Sequence, residues 1–385
     1  MAGEGRRIRA DGTGARAVIV PVGGESAGLL EGLRTLRAAG QIPLVVDERW
    51  SDSQRDAVAA ASAAAQPPPD TGWATLTSGS SGSPRIVLRS AASWASSFAA
   101  VARLLDASAD DAVLLPAPAS ASLTLFSLAH ALADGPRPVL GSADPRTVDH
   151  SAITCLHGTP HALRSVLDAG PPPHLRAALV GGSHLDGALR EQAEAAGIRV
   201  VAYYGAAELS FVAVDEGDGL RAFPGVELEI RDGELWVRSP FVALGYAGSG
   251  GPLRNDGDWA TVGDRAELVD GRLRLLGRAD DAILSASATI VPEEVEAVLR
   301  SLPGVRDAVV FGVPQARVGA LVAAFVELDD SHAPDLRAAS AAQLTPAHRP
   351  RQWFAGTLPR TASGKPARAE AVRRALAGEV ERLAV

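Results

Sequence analysis

The chain has 385 residues, 46% of them hydrophobic and 4% aromatic, with a net charge of −8. That length holds two or three domains with cores built mainly of Ala, Val and Leu, and the acidic balance excludes a general nucleic-acid binder. One cysteine, Cys155, excludes an internal disulfide and a cysteine-rich zinc site, and no run of about 18 apolar residues offers a membrane span.

Residues 17–22 read as a buried strand, 26–39 as a helix, 42–46 as a second strand and the Ala-rich stretch to residue 65 as a second helix. Strand alternating with helix predicts parallel α/β layers. Gln66-Pro67-Pro68-Pro69-Asp70 is a linker, because successive prolines cannot continue a helix. A second α/β stretch runs from Trp73 to about Leu209, with short apolar strands at 112–115, 138–140, 177–180 and 199–203. Such strands are covered on both faces. From Phe223 to Leu276 the pattern changes to short alternating strands, 226–231 with 234–237 and 266–269 with 272–276. Each pair flanks an Asp-Gly step, a strong hairpin signal. A polar break at Gly277-Arg278-Ala279-Asp280-Asp281 precedes a helix over 292–302, strands at 308–313 and 321–328, and a last helix from near Pro366. The predicted fold class is α/β: a large N-terminal part of parallel α/β layers plus a β subdomain, then a small C-terminal α+β domain. The start, Met1 to Arg7, has no apolar segment behind it as a secretory leader would, so the expected location is cytoplasmic.

Of 37 Lys+Arg residues, one alone is lysine: Lys365, in Pro359-Arg360-Thr361-Ala362-Ser363-Gly364-Lys365. A bias toward arginine removes lysine wherever only charge matters, whereas a compact, flexible ammonium can follow a reacting oxygen. Chance placement is the plainer alternative. Over residues 349–385, seven arginines and Lys365 face Glu370, Glu379 and Glu381, either a solvated helix face or a contact for phosphates or an acidic partner.

Three further segments carry candidate chemistry. Thr77-Ser78-Gly79-Ser80-Ser81-Gly82-Ser83-Pro84-Arg85 follows a strand-like segment, and small residues there let backbone N–H groups and hydroxyls approach an anion. It lacks the Walker A pattern, and a flexible turn is the alternative. Tyr203-Tyr204-Gly205-Ala206-Ala207-Glu208 ends a strand, where open α/β sheets place ligands. Tyr204 could stack on a base and Glu208 could hold Mg²⁺, against a buried tyrosine and a capping glutamate. Asp264 sits in a tight turn before a hairpin that returns Arg278 near it, a geometry suited to two ribose hydroxyls.

In order and spacing these segments resemble the adenylate-forming superfamily of acyl- and aryl-CoA synthetases, nonribosomal peptide adenylation domains and luciferases, over roughly residues 73–385. Thr77–Arg85 looks like the phosphate loop, Gly181-Gly182-Ser183 like the adenine wall, and Tyr204–Glu208 like Y-G-x-T-E. Val262–Asp264 looks like [TS]-G-D, Gly277–Asp281 like G-R-x-D-D, and Pro359–Lys365 like P-x-T-x-x-G-K. With its short segment ahead of the phosphate loop, the chain resembles short actinobacterial o-succinylbenzoate–CoA ligase-like members most.

The resemblance implies an ATP- and Mg²⁺-dependent carboxylic-acid ligase that makes an acyl-adenylate and passes the acyl group to CoA. By that likeness Lys365 reaches the carboxylate and α-phosphate oxygens. Thr77, Ser78, Gly79, Ser80, Ser81, Gly82 and Arg85 cradle the phosphates, and Glu208 holds Mg²⁺ with a lesser role for Thr77. Gly181, Gly182, Ser183, Tyr204 and Gly205 flank the adenine, while Asp264 and Arg278 hold the ribose. It also implies a large domain at 1–277, a hinge at 278–281 centred on Asp280, and a mobile small domain at 282–385.

Several positions depart from the family pattern. Arg85 stands for the usual lysine and Ala207 for the usual threonine. Leu284-Ser285-Ala286-Ser287-Ala288-Thr289-Ile290 lacks the Gly-Gly that lines the thiol tunnel in CoA ligases, which opens a carrier-protein phosphopantetheine or another nucleophile as acceptor. His157 and His161 flank Thr159-Pro160 near the expected acid pocket. A degenerate nucleotide-binding relative without turnover is the remaining alternative.

Overall fold

A computed structural model describes residues 17–24, 28–77, 85–141, 150–248, 250–278, 283–285, 288–315, 319–329, 335–361 and 364–383. The chain begins with parallel strands Ile19–Gly23 and Ile42–Val46, and the second continues in parallel to Thr71–Thr77. Helix Asp52–Ala64 starts where the Ser51 side chain caps Gln54 and Gln54 caps Ser51 in return, which satisfies orphan donors of the first turn. Thr71–Thr77 pairs antiparallel with Arg85–Ser90, placing Thr77 opposite Arg85. The residues between these partners, Ser78 to Pro84, lie outside the described residues, and with them Ser78, Gly79, Ser80, Ser81 and Gly82 of the expected phosphate loop.

The second sheet has seven strands, in the order Arg221–Ala222, Ser210–Asp215, Arg199–Ala206, Ala177–Gly181, Cys155–Gly158, Ala112–Leu115 and Arg137–Leu140. The last five run parallel. Their carboxyl ends bring Gly158, Gly181-Gly182 and Tyr203-Tyr204 to one edge. Among the elements missing from the sequence reading are Cys155–Gly158 and helix Ser122–Ala131. That helix is buried on nearly every side, including Thr124, Ser127 and His130. A helix covered all round has no polar face, so it shows no amphipathic period.

The third sheet carries both predicted hairpins. Asp232 and Gly233 have φ of 51° and 78°, and Asp270 and Gly271 have 51° and 73°. Positive φ at both central residues matches the twist of the flanking strands. The second hairpin extends further than its apolar pattern: Asp264–Val269 pairs with Arg272–Arg278, and Asp264 lies opposite Arg278. The polar break therefore begins inside a strand.

The fourth sheet uses only residues from Ile283 onward. Its long strands Val305–Gln315 and Gly319–Leu328 pair antiparallel, flanked by helices Pro292–Arg300 and Arg368–Leu376. Among the described residues the apolar clusters divide cleanly: three draw on residues before Arg278 and two on residues after it. No helix is long and apolar enough to cross a membrane among the described residues.

Candidate functional site

Strand Ala177–Gly181 is fully buried until its last residue, then turns at Gly182, where φ is +91°. That conformation is strained for any residue with a Cβ. A Cβ at Gly182 would also lie 2.5 Å from Cε and 3.2 Å from Nζ of Lys365. The lysine of the C-terminal part thus reaches the carboxyl edge of the central sheet, and bare glycine backbone makes room for it. Its loop is a closed turn: Thr361 N–H donates to the Lys365 carbonyl at 2.7 Å and Gly364 N–H to the Thr361 carbonyl at 2.8 Å. Arg360 anchors the turn, donating to Asp307 at 2.9 Å and Glu327 at 3.1 Å. The exposed side chain of His161 and the Thr159 hydroxyl face Gly364 from the large part.

Tyr204 lies on the neighbouring strand, and its hydroxyl donates to Asp264 Oδ2. This contact ties the central sheet to the third sheet, and Asp264 in turn sits opposite Arg278. Gly205 and Ser183 follow at the same edge, whereas Asp280 lies outside the described residues. Thr77 Oγ1 is buried without a hydrogen-bond partner among the described residues. A buried orphan hydroxyl costs free energy unless something satisfies it, so its place at the mouth of the loop fits a phosphate or a metal-bound water.

Glu208 is 5% exposed, in the turn between Arg199–Ala206 and Ser210–Asp215. Tyr246, on a strand paired with Arg85–Ser90, donates its hydroxyl to Glu208 Oε1 at 2.8 Å. Behind the turn stands Arg89, with 0% exposure. Its guanidinium donates twice to the Ala207 carbonyl, at 3.0 and 2.7 Å, and once to the Phe241 carbonyl at 2.6 Å. Burial pulls Arg89 down to about 9, opposed by the Glu208 charge, so it stays cationic at neutral pH. The residue before Glu208 is therefore held by a fixed cation instead of by its own side chain. Neither Arg89 nor Tyr246 was identified from the sequence. An arginine inside Ile86-Val87-Leu88-Arg89 was the available signal, since a charge in an apolar strand has to find partners; Tyr246 offered none.

His157 is buried to 1% exposure in its strand, with both ring nitrogens engaged. Nδ1 pairs with the Ser127 hydroxyl at 2.8 Å and Nε2 with the Tyr203 hydroxyl at 3.0 Å. Burial lowers His157 to about 3, helped slightly by nearby His130, so the ring is neutral. Burial also raises the Tyr203 phenol. His161 differs: exposed and beside the Lys365 turn, it is lowered by partial burial and then by Arg360. The two histidines expected together are thus separated, one in the core and one at the seam.

The description AMP-binding enzyme matches residues 4–247, and AMP-binding enzyme C-terminal domain matches 294–365. With more than half of its length matched, the chain belongs to the AMP-binding enzyme family. It is 34% identical to the 2-succinylbenzoate–CoA ligase of Salmonella typhimurium over 66% of this chain and 57% of that protein. The corresponding Escherichia coli ligase is 31% identical over 74% of this chain and 64% of its own length. The chain therefore matches less than two thirds of these relatives. Among solved structures, an E. coli MenE variant with bound OSB-AMS superposes with a TM-score of 0.80 at 25% identity, over 94% of this chain and 88% of that one. The Bacillus subtilis o-succinylbenzoate CoA synthetase with its acyl-adenylate intermediate shares the fold, with a TM-score of 0.79 at 22% identity over 91% and 87% of the two chains.

Proposed function

We propose that the chain is an ATP-dependent carboxylic-acid ligase that forms an acyl-adenylate and transfers the acyl group to CoA. The observation that carries this reading is the meeting of Lys365 with Gly182 beside the Tyr204–Asp264 pair. In the first half-reaction a carboxylate oxygen bonds to the α-phosphorus of ATP, the α–β bridging P–O bond breaks, and pyrophosphate leaves. Both reactants are anionic, so catalysis consists of positive charge and alignment. Lys365 supplies the charge where the two meet. Asp264 holds the ribose hydroxyls with Arg278 near it, and Gly181, Gly182, Ser183, Tyr204 and Gly205 border the adenine. Thr77 and Arg85, which bracket the loop containing Ser78, Gly79, Ser80, Ser81 and Gly82, face the phosphates.

Glu208 and Thr77 would hold Mg²⁺; when bound, the ion neutralises phosphate charge. In the second half-reaction a thiolate bonds to the acyl carbon and AMP leaves. The separate apolar clusters on either side of Arg278 support a large and a small domain joined at 278–281, with the small one withdrawing Lys365 between half-reactions. A carrier-protein phosphopantetheine is the second acceptor, because residues 284–290 lack the glycine pair. The unpaired Cys155 supports a cytoplasmic setting.

Carboxylate-dependent ATP–pyrophosphate exchange over aryl, short-chain and dicarboxylic acids tests the reading, followed by mass detection of the product with CoA or a carrier protein. Exchange with one or more acids is expected. Nucleotide binding without exchange for any acid would make the chain a nucleotide-binding relative without turnover.

A further inference from the structure

Two arginines flank the turn that carries Lys365, and both are tied into one network of charges. Ahead of the lysine, Arg360 spans two strands: Nη1 donates to Asp307 Oδ2 at 2.9 Å and Nη2 to Glu327 Oε2 at 3.1 Å. Nη1 also reaches back to the carbonyl of Gly364, the residue before the lysine, at 3.3 Å. Past the lysine, Arg368 donates to the Val310 carbonyl at 2.7 Å and pairs with Glu296 at 2.7 Å. Arg300, the last residue of helix Pro292–Arg300, joins the two sides. It donates through Nε to Asp307 Oδ1 at 2.8 Å and through Nη2 to Glu296 Oε2 at 3.0 Å. Arg360, Asp307, Arg300, Glu296 and Arg368 thus alternate in sign, and the stretch of chain that carries Lys365 closes them into a ring.

The ring is largely enclosed: the Glu296 side chain is 3% exposed and those of Arg300, Asp307 and Arg360 are 15%, 15% and 16%. Desolvation offsets much of the attraction in such a set, so its contribution to net stability is small. Displacing one member, by contrast, leaves a buried charge unpaired, and that penalty holds the backbone of the turn in place. The lysine needs this support. Its ammonium rides on a flexible stem, so the reach of Nζ depends on where the turn lies. Cε already comes to 2.5 Å from the position a Cβ would take at Gly182, and a misplacement of about 1 Å in a reacting group costs on the order of a hundredfold in rate.

We propose that Arg360 is a positioning residue for adenylation, acting through Lys365 by fixing its turn and not by offering its own charge to the phosphates. The proposal rests on the ligase reading. Asp307 and Glu327 occupy the donors of Arg360, and only a planar fork spans both carboxylates while keeping hold of Gly364.

Two variants separate geometry from charge. Arg360→Lys keeps the charge and loses the fork, and should lower kcat of pyrophosphate exchange by up to about a hundredfold. Glu327→Gln keeps the fork but removes a counter-charge, and should lower kcat less. In both, KM for ATP and transfer from a preformed acyl-adenylate should stay near wild type. On a Lys365→Ala background, Arg360→Lys should cost nothing further, because both changes remove the same interaction. Unchanged kcat in Arg360→Lys, faster exchange in Glu327→Gln, or full additivity with Lys365→Ala overturns the proposal. A second readout needs no turnover. Lys365 is the only lysine, so trinitrobenzenesulfonate modification of its peptide, followed by mass spectrometry, reports how firmly the turn is held. Modification should run severalfold faster in Arg360→Gln than in the wild type, and also faster in Glu327→Gln, which serves should Arg360→Gln not fold. Equal rates in folded variants overturn the proposal. Absence of wild-type exchange with every acid removes the ligase reading, and the modification rates then still decide whether Arg360 positions Lys365. Wild-type exchange with equal modification rates removes the positioning role and keeps the ligase.

Discussion

The carboxyl edge of the central sheet and the turn that carries Lys365 meet at one place but are held by different means. The sheet edge is fixed by burial. Glu208, His157 and Arg89 are almost wholly enclosed, and each has hydrogen-bond partners inside the core. The Lys365 turn is held to the fourth sheet by Arg360, which pairs with Asp307 and Glu327, and it touches the preceding part of the chain through Gly182, Thr159 and His161. Buried, mutually satisfied contacts fix a binding surface in advance. A turn resting on a glycine and two side chains can depart without breaking a core. The contrast suits the proposed two-step reaction, which calls for a preformed nucleotide site and a cation that can be withdrawn.

The strongest way to break this contrast is at the lysine. Lys365→Ala should lower acid adenylation by about a thousandfold, the scale of losing one charge-stabilising group. Transfer from a preformed acyl-adenylate to the thiol should stay near normal. Single-turnover assays of each half-reaction check this, and equal loss in both would remove the withdrawable-cation role. Next comes the buried side. Arg89→Met leaves the Ala207 and Phe241 carbonyls without the Arg89 donor and removes its charge from beside Glu208, and should cost about 3 kcal/mol of stability, measured by denaturant unfolding. A cost under about 0.5 kcal/mol, the range of ordinary surface changes, would mean the turn is held by other contacts.

Asp264→Ala removes the acceptor of the Tyr204 hydroxyl and the proposed ribose ligand. ATP affinity should fall roughly ten- to a hundredfold, the loss expected for a hydrogen bond to a charged group. Unchanged affinity in a nucleotide titration would move the ribose elsewhere. The smallest effect concerns pH. His157 has a folded value of about 3 against an ordinary 6.5, so below 6.5 the unfolded chain takes up a proton that the folded chain refuses. The resulting stability is complete above 6.5 and is lost as pH falls toward 3. His130, lowered by burial to about 4, acts in the same sense. His157→Gln should therefore flatten the decline between pH 6.5 and 5 by up to about 1.4 kcal/mol per pH unit. An unchanged slope in urea unfolding would show that His157 is not held neutral.

Local patterns reached far into this molecule. The Asp-Gly steps placed both hairpins because positive φ at two successive residues is a backbone requirement that few residue types meet. Short apolar runs marked the buried strands, and the ordered motifs marked the candidate site, including the one lysine among 37 basic residues. The fully buried helix Ser122–Ala131 escaped because covering both of its faces erased the period that reveals a helix.

What only the tertiary structure decided is which side chains share an environment. Arg89 lies 118 residues from the carbonyl it holds, and Tyr246 lies 38 residues from Glu208. No local pattern encodes such pairings, because they arise from how strands of different sheets stack. The histidines show the same limit: four residues apart in sequence, His157 is a neutral core group and His161 an exposed neighbour of the lysine turn. Tyr203 and Tyr204 are identical in kind and adjacent in the chain, yet strand alternation sends one to Asp264 and the other to His157. By itself the sequence determined the family, the order of the elements and the residue types available for chemistry, since these follow from local backbone and side-chain preferences. The partners that hold Glu208 and His157 depended on long-range packing, which residue spacing along the chain does not record.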